Sequence, residues 1–202
     1  AAYKHALRYA RERIQGRPAP GVAVGTEPVP IARHPAVHAS LAAQRCAVEG
    51  ARMLAYWTAQ LLDESEYGPT PEQRRHAHER LALLTPMVKA WGTRTGFEVA
   101  DQALQVFGGH GYIEETGAAQ ALRDSRIPLL YEGTNEIQAV DLLVRKVVAD
   151  SGAAYGRLLD DLEAAARHDG QGLVQQAVQL EALAAHRRLL AELVQASAQD
   201  PL

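Results

Sequence analysis

The chain has 202 residues, 47% of them hydrophobic and 5% aromatic, so one ordinary domain with an appendage can bury a sizeable core. Its formal net charge of −3 lacks the basic excess of a phosphate-backbone binder, so no nucleic-acid partner is expected. A single cysteine, Cys46, excludes an internal disulfide and fits a reducing, cytoplasmic setting.

Ala, Leu and Val dominate the apolar set, which favours helices over strands. Residues 1–15 carry Tyr3, Leu7, Ala10 and Ile14 at helical spacing, and Gly16 is the expected stop. The chain opens already in this pattern, as expected of a piece of a longer protein. Gly16, Pro18, Pro20, Gly21, Gly25, Pro28 and Pro30 make residues 16–33 a loop. A long helix is predicted from Pro35 to Glu64, burying Val37, Leu41, Val48, Met53, Leu54, Trp57 and Leu61. In the turn Gly68-Pro69-Thr70-Pro71, Thr70 suits the N-cap and Pro71 the first helical position.

The next helix is predicted from Pro71 to Phe107, with Leu81, Leu84, Val88, Trp91, Val99, Leu104 and Phe107 on its apolar face. Pro86 inside it is expected to kink or break it. Gly108-Gly109-His110-Gly111 ends it. A short helix over 116–124 leads to Ile127-Pro128-Leu129-Leu130, and Gly133 opens another helix to about Ala149. Residues 151–168 and 171–198 read as two more amphipathic helices, parted by Asp169-Gly170. Three long helices and a returning one predict an all-α, four-helix up-and-down bundle with additional C-terminal helices. No apolar run is long enough for a membrane span, and no signal peptide is present in the sequence. No metal is expected: His76, His78, His168 and His186 lack metal-site spacing and read as solvated helix residues.

Two segments carry chemistry. In Gln105-Val106-Phe107-Gly108-Gly109-His110-Gly111-Tyr112, three glycines in four positions let the backbone approach something closely, though a plain helix C-cap would also use glycine. In the second segment Glu132 stands between the apolar Ile127–Leu130 run and Gly133 at a helix start. An apolar neighbourhood would raise the pKa of its carboxyl toward the range of a general base. Alternatively, Glu132 balances the positive end of the helix dipole.

Together these segments resemble the signature of the acyl-CoA dehydrogenase family. The helix end Gln105–Tyr112 is followed by Arg123-Asp124-Ser125-Arg126-Ile127 and by Tyr131-Glu132-Gly133-Thr134-Asn135-Glu136-Ile137-Gln138, in the family's order and spacing. The resemblance covers residues 1–150, the family's C-terminal helical bundle. Residues 151–202 look like the start of a further helical extension, cut short. Arg13-Ile14-Gln15-Gly16-Arg17, His110 and Ile137–Leu143 resemble the branch of 3-methylmercaptopropionyl-CoA dehydrogenase-like, broad-range enzymes.

The resemblance implies that Glu132 takes the α-proton of an acyl-CoA thioester while the β-hydrogen leaves as hydride to FAD, giving a trans-2-enoyl-CoA. Tyr131 and Gly133 would flank the thioester. Arg13, His34, Gln105, Gly108, Gly109, Thr134 and Glu136 match positions that contact FAD, some of them across a subunit interface. The match has departures. Glutamine is common where Glu136 stands, Gln15 meets Gly16 without the usual phenylalanine, and Pro35 follows His34 in place of glutamine. A family arginine that touches CoA has Val144 at its place, with Arg145 one step off. The implied partners are acyl-CoA, electron-transfer flavoprotein as electron acceptor, and further copies of the chain in a homodimer or homotetramer. The family builds its site from three domains, so this chain alone is expected to be inactive. A different reading is a non-catalytic helical oligomerisation module of the same superfamily. A nucleic-acid role, known in one branch, is disfavoured by the acidic charge.

Overall fold

The computed structural model describes residues 1–17, 27–168 and 173–199. The fold is all-α, as the composition predicts. No strand forms among the described residues, and Ile14 and Pro30 make an isolated antiparallel bridge. The chain divides into two compact units, Ala1–Trp57 with Val88–Asn135, and Thr58–Met87 with Glu136–Leu202. Two long helices, α2 (Pro35–Tyr67) and α3 (Pro71–Phe107), contribute to both.

In the first unit, α1 (Ala2–Glu12) packs Ala6 and Ala10 against Leu41 of α2 and Ala103, Val106 and Phe107 of α3. Ala118 of α5 (Ala118–Arg126) closes the same core. Alanines four residues apart share one helix face and let backbones approach closely. Tyr9 stacks on Phe107 at 4.3 Å between ring centroids, and His5 meets the same ring edge-on at 4.8 Å. The end of α3 is thereby clamped to α1.

α1 stops before its apolar repeat does. Arg13 turns extended (φ −72°, ψ 113°), and Ile14 is 60% exposed. The competing structure is a backbone ladder with the far side of the loop. Gln15 N–H donates to the Val29 carbonyl at 3.1 Å, Val29 N–H to Gly16 at 3.1 Å and Ile31 N–H to Arg13 at 2.8 Å.

The α2 stripe also departs from expectation. Leu41 and Leu61 are buried, but Met53 is 70% exposed, because it lies one residue, about 100° of helical rotation, off the Leu54 face. The stripe instead takes in Gln44, fully buried, whose Nε2 donates to Ser40 Oγ at 3.2 Å. On α3, Trp91 is 44% exposed with its ring edge over Gly50, so its large side chain is not core as expected. The α3 start forms as a capping box: Gln73 N–H donates to Thr70 Oγ1 at 3.2 Å, and Gln73 Oε1 accepts from Thr70 N–H at 3.2 Å. α3 continues through Pro86 without a break.

The helix expected from Gly133 begins at Asn135, the last residue of the first unit, and runs on in the second. α6 (Asn135–Val140) passes into a π-helical stretch, Asp141–Val147, and a 3₁₀ turn, Val148–Asp150. Here α7 (Ala153–His168) and α8 (Leu173–Gln199) pack on each other. Leu158, Leu159 and Ala166 of α7 are buried, as are Leu61, Leu83 and Leu84 of the longer helices. Asp150 caps α7, accepting from the N–H groups of Gly152 and Ala154 at 3.0 and 2.8 Å. Asp169 and Gly170, the expected break, lie outside the described residues.

Ion pairs stitch this unit. Arg80 pairs with Asp161, Arg157 with Glu79, and Arg187 with both Asp160 and Glu163. Hydrogen bonds from Arg167 and then Arg187 hold the Glu163 carboxyl below its ordinary 4.5. A depressed folded-state pKa adds stability that is fully present above the unfolded value and lost as pH falls through the folded one. Thermal stability should therefore hold from neutral pH down to the ordinary glutamate range and decline below it. Arg187→Met should flatten part of that acid decline in circular-dichroism melts. The effect is small because the pair is solvated. An acid limb identical in both proteins would remove Glu163 from the account.

Candidate active site

The segment bearing Glu132 is an exposed turn between two fixed points. On its N-terminal side, Ile127–Leu129 forms a 3₁₀ turn, and Leu129 is 5% exposed. Leu130 and Tyr131 then emerge, 53% and 51% exposed. Glu132 and Gly133 both take left-handed backbone conformations, with φ of 58° and 81°. For Gly133 this is free. For a glutamate it stores strain of about 1–3 kcal/mol, and such residues concentrate at functional sites. The Glu132 side chain is exposed and has no hydrogen-bond partner among the described residues. Among the described residues the Ile127–Leu130 run does not supply the apolar surround expected from the sequence, since Leu130 and Tyr131 are exposed along with the glutamate.

On the C-terminal side the fixed point is Asn135. Its Nδ2 donates to the Ala90 carbonyl of α3 at 3.2 Å. Its Oδ1 faces Thr93 Oγ1 at 3.2 Å and Lys89 Nζ at 3.4 Å. Sequence reading singled out neither Asn135 nor its α3 partners. An asparagine at a helix start is ordinary capping chemistry, and nothing local points to partners more than forty residues upstream. Thr134 is half-buried between Gly133 and α6, and Glu136 is exposed in the first turn of α6.

The remaining candidates gather at the other end of unit one. The last turn of α1 leads from Tyr9 to Arg13, whose exposed guanidinium donates to Gln15 Oε1 at 3.3 Å and meets no carboxylate among the described residues. His34 Nε2 lies 2.7 Å from the Gln15 carbonyl oxygen. Since that oxygen can only accept, Nε2 carries the proton and Nδ1 is left for another partner. Gly16 (φ +75°) makes room for the ring, as a Cβ there would lie 3.2 Å from His34 Nε2. Beyond the Tyr9–Phe107 stack, Gly108 leaves α3 at φ 59°, ψ −140° and leads into α4 (Gly109–Tyr112), while Gln105 is exposed on the last turn of α3.

The three glycines differ in what the fold asks of them. Gly108 needs its positive φ. Gly111 needs its missing side chain, because a Cβ would lie 2.4 Å from the Leu104 carbonyl oxygen. A Cβ on Gly109 would meet nothing within 4 Å. The cavity of about 730 Å³ lined by Phe97, Leu104, Ile113, Leu122 and Arg126 includes none of the candidate residues.

The candidates thus form two groups. Asn135 holds the Glu132 turn at Ala90 of α3, and Gln105 lies fifteen residues further along that helix, about 22 Å at its rise per residue. Arg13 and His34 belong with the Gln105–Gly109 end. The structure does not bring the two groups into one pocket on a single chain.

Known proteins share this sequence and fold. Residues 1–147 match the sequence profile of the acyl-CoA dehydrogenase C-terminal domain. The 3-methylmercaptopropionyl-CoA dehydrogenase of Ruegeria pomeroyi is 44% identical over 204 residues, covering 99% of this chain and 34% of that protein. The broad-specificity linear acyl-CoA dehydrogenase FadE5 of Mycobacterium tuberculosis is 34% identical over 167 residues, covering 80% and 27%. Caenorhabditis elegans ACDH-11, solved in complex with C11-CoA, superposes with a TM-score of 0.78 over 98% of this chain and 32% of its own, a likeness of fold at 23% identity. The chain therefore spans about a third of the length of these relatives. The profile match runs through the Gly108 turn, the Glu132 turn and the helices that carry them, and it places this chain in the acyl-CoA dehydrogenase family, as a C-terminal helical domain.

Proposed function

We propose that this domain serves an FAD-dependent acyl-CoA dehydrogenase in which Glu132 takes the α-proton of an acyl-CoA thioester on the way to a trans-2-enoyl-CoA. The observation that carries the reading is the Glu132 turn, where a carboxylate is displayed in a left-handed conformation that costs stability. The helix-dipole alternative loses its motive, because α6 starts only at Asn135 and Glu136 already occupies its first turn. Thioester α-protons are weakly acidic, so the base must be held at a fixed place beside the Cα–Cβ bond. Tyr131 and Gly133 would flank the thioester, and the absence of a side chain at Gly133 permits close approach. Backbone N–H groups facing the thioester carbonyl would stabilise the developing enolate.

The residues proposed to hold FAD are Arg13, His34, Gln105, Gly108, Gly109, Thr134 and Glu136. Bound FAD would supply the acceptor for the β-hydrogen. An exposed guanidinium that meets no carboxylate among the described residues suits a pyrophosphate, and the open space over Gly109 suits a close-lying nucleotide. The separation along α3 supports a shared arrangement. The Arg13 and Gly109 end would serve the FAD of a neighbouring subunit, in a homodimer or homotetramer, while Glu132 serves its own. Electron-transfer flavoprotein is the proposed electron acceptor, and a cytoplasmic location is proposed. No helix of the described residues is long and apolar enough to cross a membrane.

The test is flavin retention and bleaching. Purified with excess FAD and then desalted, the 202-residue chain should keep no flavin, since it spans about a third of its relatives. The full-length protein should keep it, and its visible spectrum should bleach under anaerobic acyl-CoA. A flavin-loaded full-length protein that no acyl-CoA bleaches would remove the dehydrogenase reading. A non-catalytic assembly module is the second reading. It draws on Met53 and Tyr56, both 70% exposed and three residues apart on one face of α2.

A further inference from the structure

We infer that Asn135 is the positioning residue for Glu132, holding the left-handed turn at a fixed place on α3 through its side-chain amide. The inference rests on the proposed role of Glu132 as base. Leu130, Tyr131 and Glu132 are exposed, and buried Leu129 anchors the segment just before them. On the other side the Asn135 amide ties the segment to α3, bonded to the Ala90 carbonyl at 3.2 Å and facing Lys89 Nζ and Thr93 Oγ1 at 3.4 and 3.2 Å.

Hydrogen-bond accounting fixes the amide orientation. The Ala90 carbonyl can only accept, so it must face Nδ2, and the Lys89 ammonium can only donate, so it must face Oδ1. A flipped amide would lose both contacts. The Thr93 hydroxyl has one hydrogen to divide among the Lys89 carbonyl at 2.8 Å, Asn135 Oδ1 at 3.2 Å and the Ala90 carbonyl at 3.3 Å. Lys89 is therefore the principal donor to Oδ1. Both oxygen and nitrogen of the amide are used, so an aliphatic residue cannot replace it. Two residues in the left-handed region precede the tether, and a glutamate there relaxes toward ordinary backbone angles once the tether is cut.

In the flavin-loaded full-length protein, Asn135→Ala should lower kcat by up to about 100-fold, as misplacement of a reacting group by about 1 Å does. KM for acyl-CoA, flavin content and melting temperature should stay near those of the parent. Asn135→Asp keeps an oxygen toward Lys89 and Thr93 but turns a second acceptor toward the Ala90 carbonyl, so it should recover only part of the loss. Lys89→Met alone should lower kcat less than Asn135→Ala, and should add nothing in the Asn135→Ala background, because the two act through one tether. An Asn135→Ala protein with unchanged kcat, or one whose loss merely follows loss of flavin or fold, overturns the inference, provided that Glu132→Gln is inactive. Should Glu132→Gln itself stay active, the base assignment fails, and amide exchange over residues 131–134 decides the tether alone. Faster exchange in Asn135→Ala sustains it, and unchanged exchange overturns it.

Discussion

Replacing Glu132 by Gln in the full-length protein should cut acyl-CoA dehydrogenation by about 10²–10⁴-fold while leaving fold, flavin content and assembly unchanged. Gln keeps the length and shape of the side chain but cannot take a proton. The folded state should tolerate it, because the side chain is exposed and has no partner among the described residues. Exposed substitutions of this kind stay within about 0.5 kcal/mol. The left-handed backbone does not distinguish the two, since neither residue is glycine or β-branched. Glu132→Asp, with the carboxylate drawn back by one methylene, should fall between the two. The measurement is anaerobic flavin reduction by acyl-CoA, with size-exclusion chromatography alongside. Loss of reduction with intact assembly separates the enzyme from an assembly module. Undiminished reduction would dismiss Glu132 as the base and leave the assembly reading in place.

The exposure of Glu132 bears on how that base would work. A carboxylate in water is a weak base for a thioester α-proton, so its water must be removed during turnover. The apolar residues just before it, Leu130 and Tyr131, are both about half exposed. The desolvation that the sequence suggested from the Ile127–Leu130 run is not supplied by that run, and bound acyl-CoA would supply part of it. A long apolar stretch before a polar residue says that apolar atoms are available, not that they fold over their neighbour. In this chain the run is divided, with Leu129 taken into the core and Ile127 and Leu130 more than half exposed.

Legibility followed the range of the interactions. The starts of α2 and α3 were readable because Pro35, Thr70 and Pro71 act within one turn, and the Thr70–Gln73 box forms as such chemistry requires. The end of α1 was not, because Arg13, Gln15 and Gly16 bond to residues 29 and 31 across a loop. Gln44 was passed over for its polarity, although its position on the α2 stripe buries it completely. The π-helical stretch at Asp141–Val147 leaves no mark in an apolar repeat. The Glu132 turn was singled out through family resemblance, and its link to α3 was not, because the amide of Asn135 meets partners 42 to 46 residues away. The glycines fall between these cases. Their number was visible, but what each is for depends on coordinates.

That difference gives the second large effect. Gly111→Ala should lower the melting temperature of this chain by roughly 5–10 °C, the equivalent of about 2–3 kcal/mol. The added Cβ would lie 2.4 Å from the Leu104 carbonyl oxygen and 3.0 Å from Leu104 Cγ and Phe107 Cβ. The nearest obstacle is backbone inside α3, so it cannot swing aside as a side-chain end would, and Phe107 is already held between Tyr9 and the core. Gly109→Ala should cost the isolated chain nothing, since that residue is helical and its Cβ would enter open space. In the full-length protein the order of effects should change. Gly109→Ala should weaken flavin retention, because open space on this chain is where a nucleotide would have to lie, while its melting curve without flavin stays that of the parent. Equal flavin retention in Gly109→Ala and parent would strip the glycine of its proposed role. A glycine that folding does not need is a sharper pointer to an absent ligand than one whose backbone angle already explains it, so Gly109 tests the cofactor assignment better than Gly108.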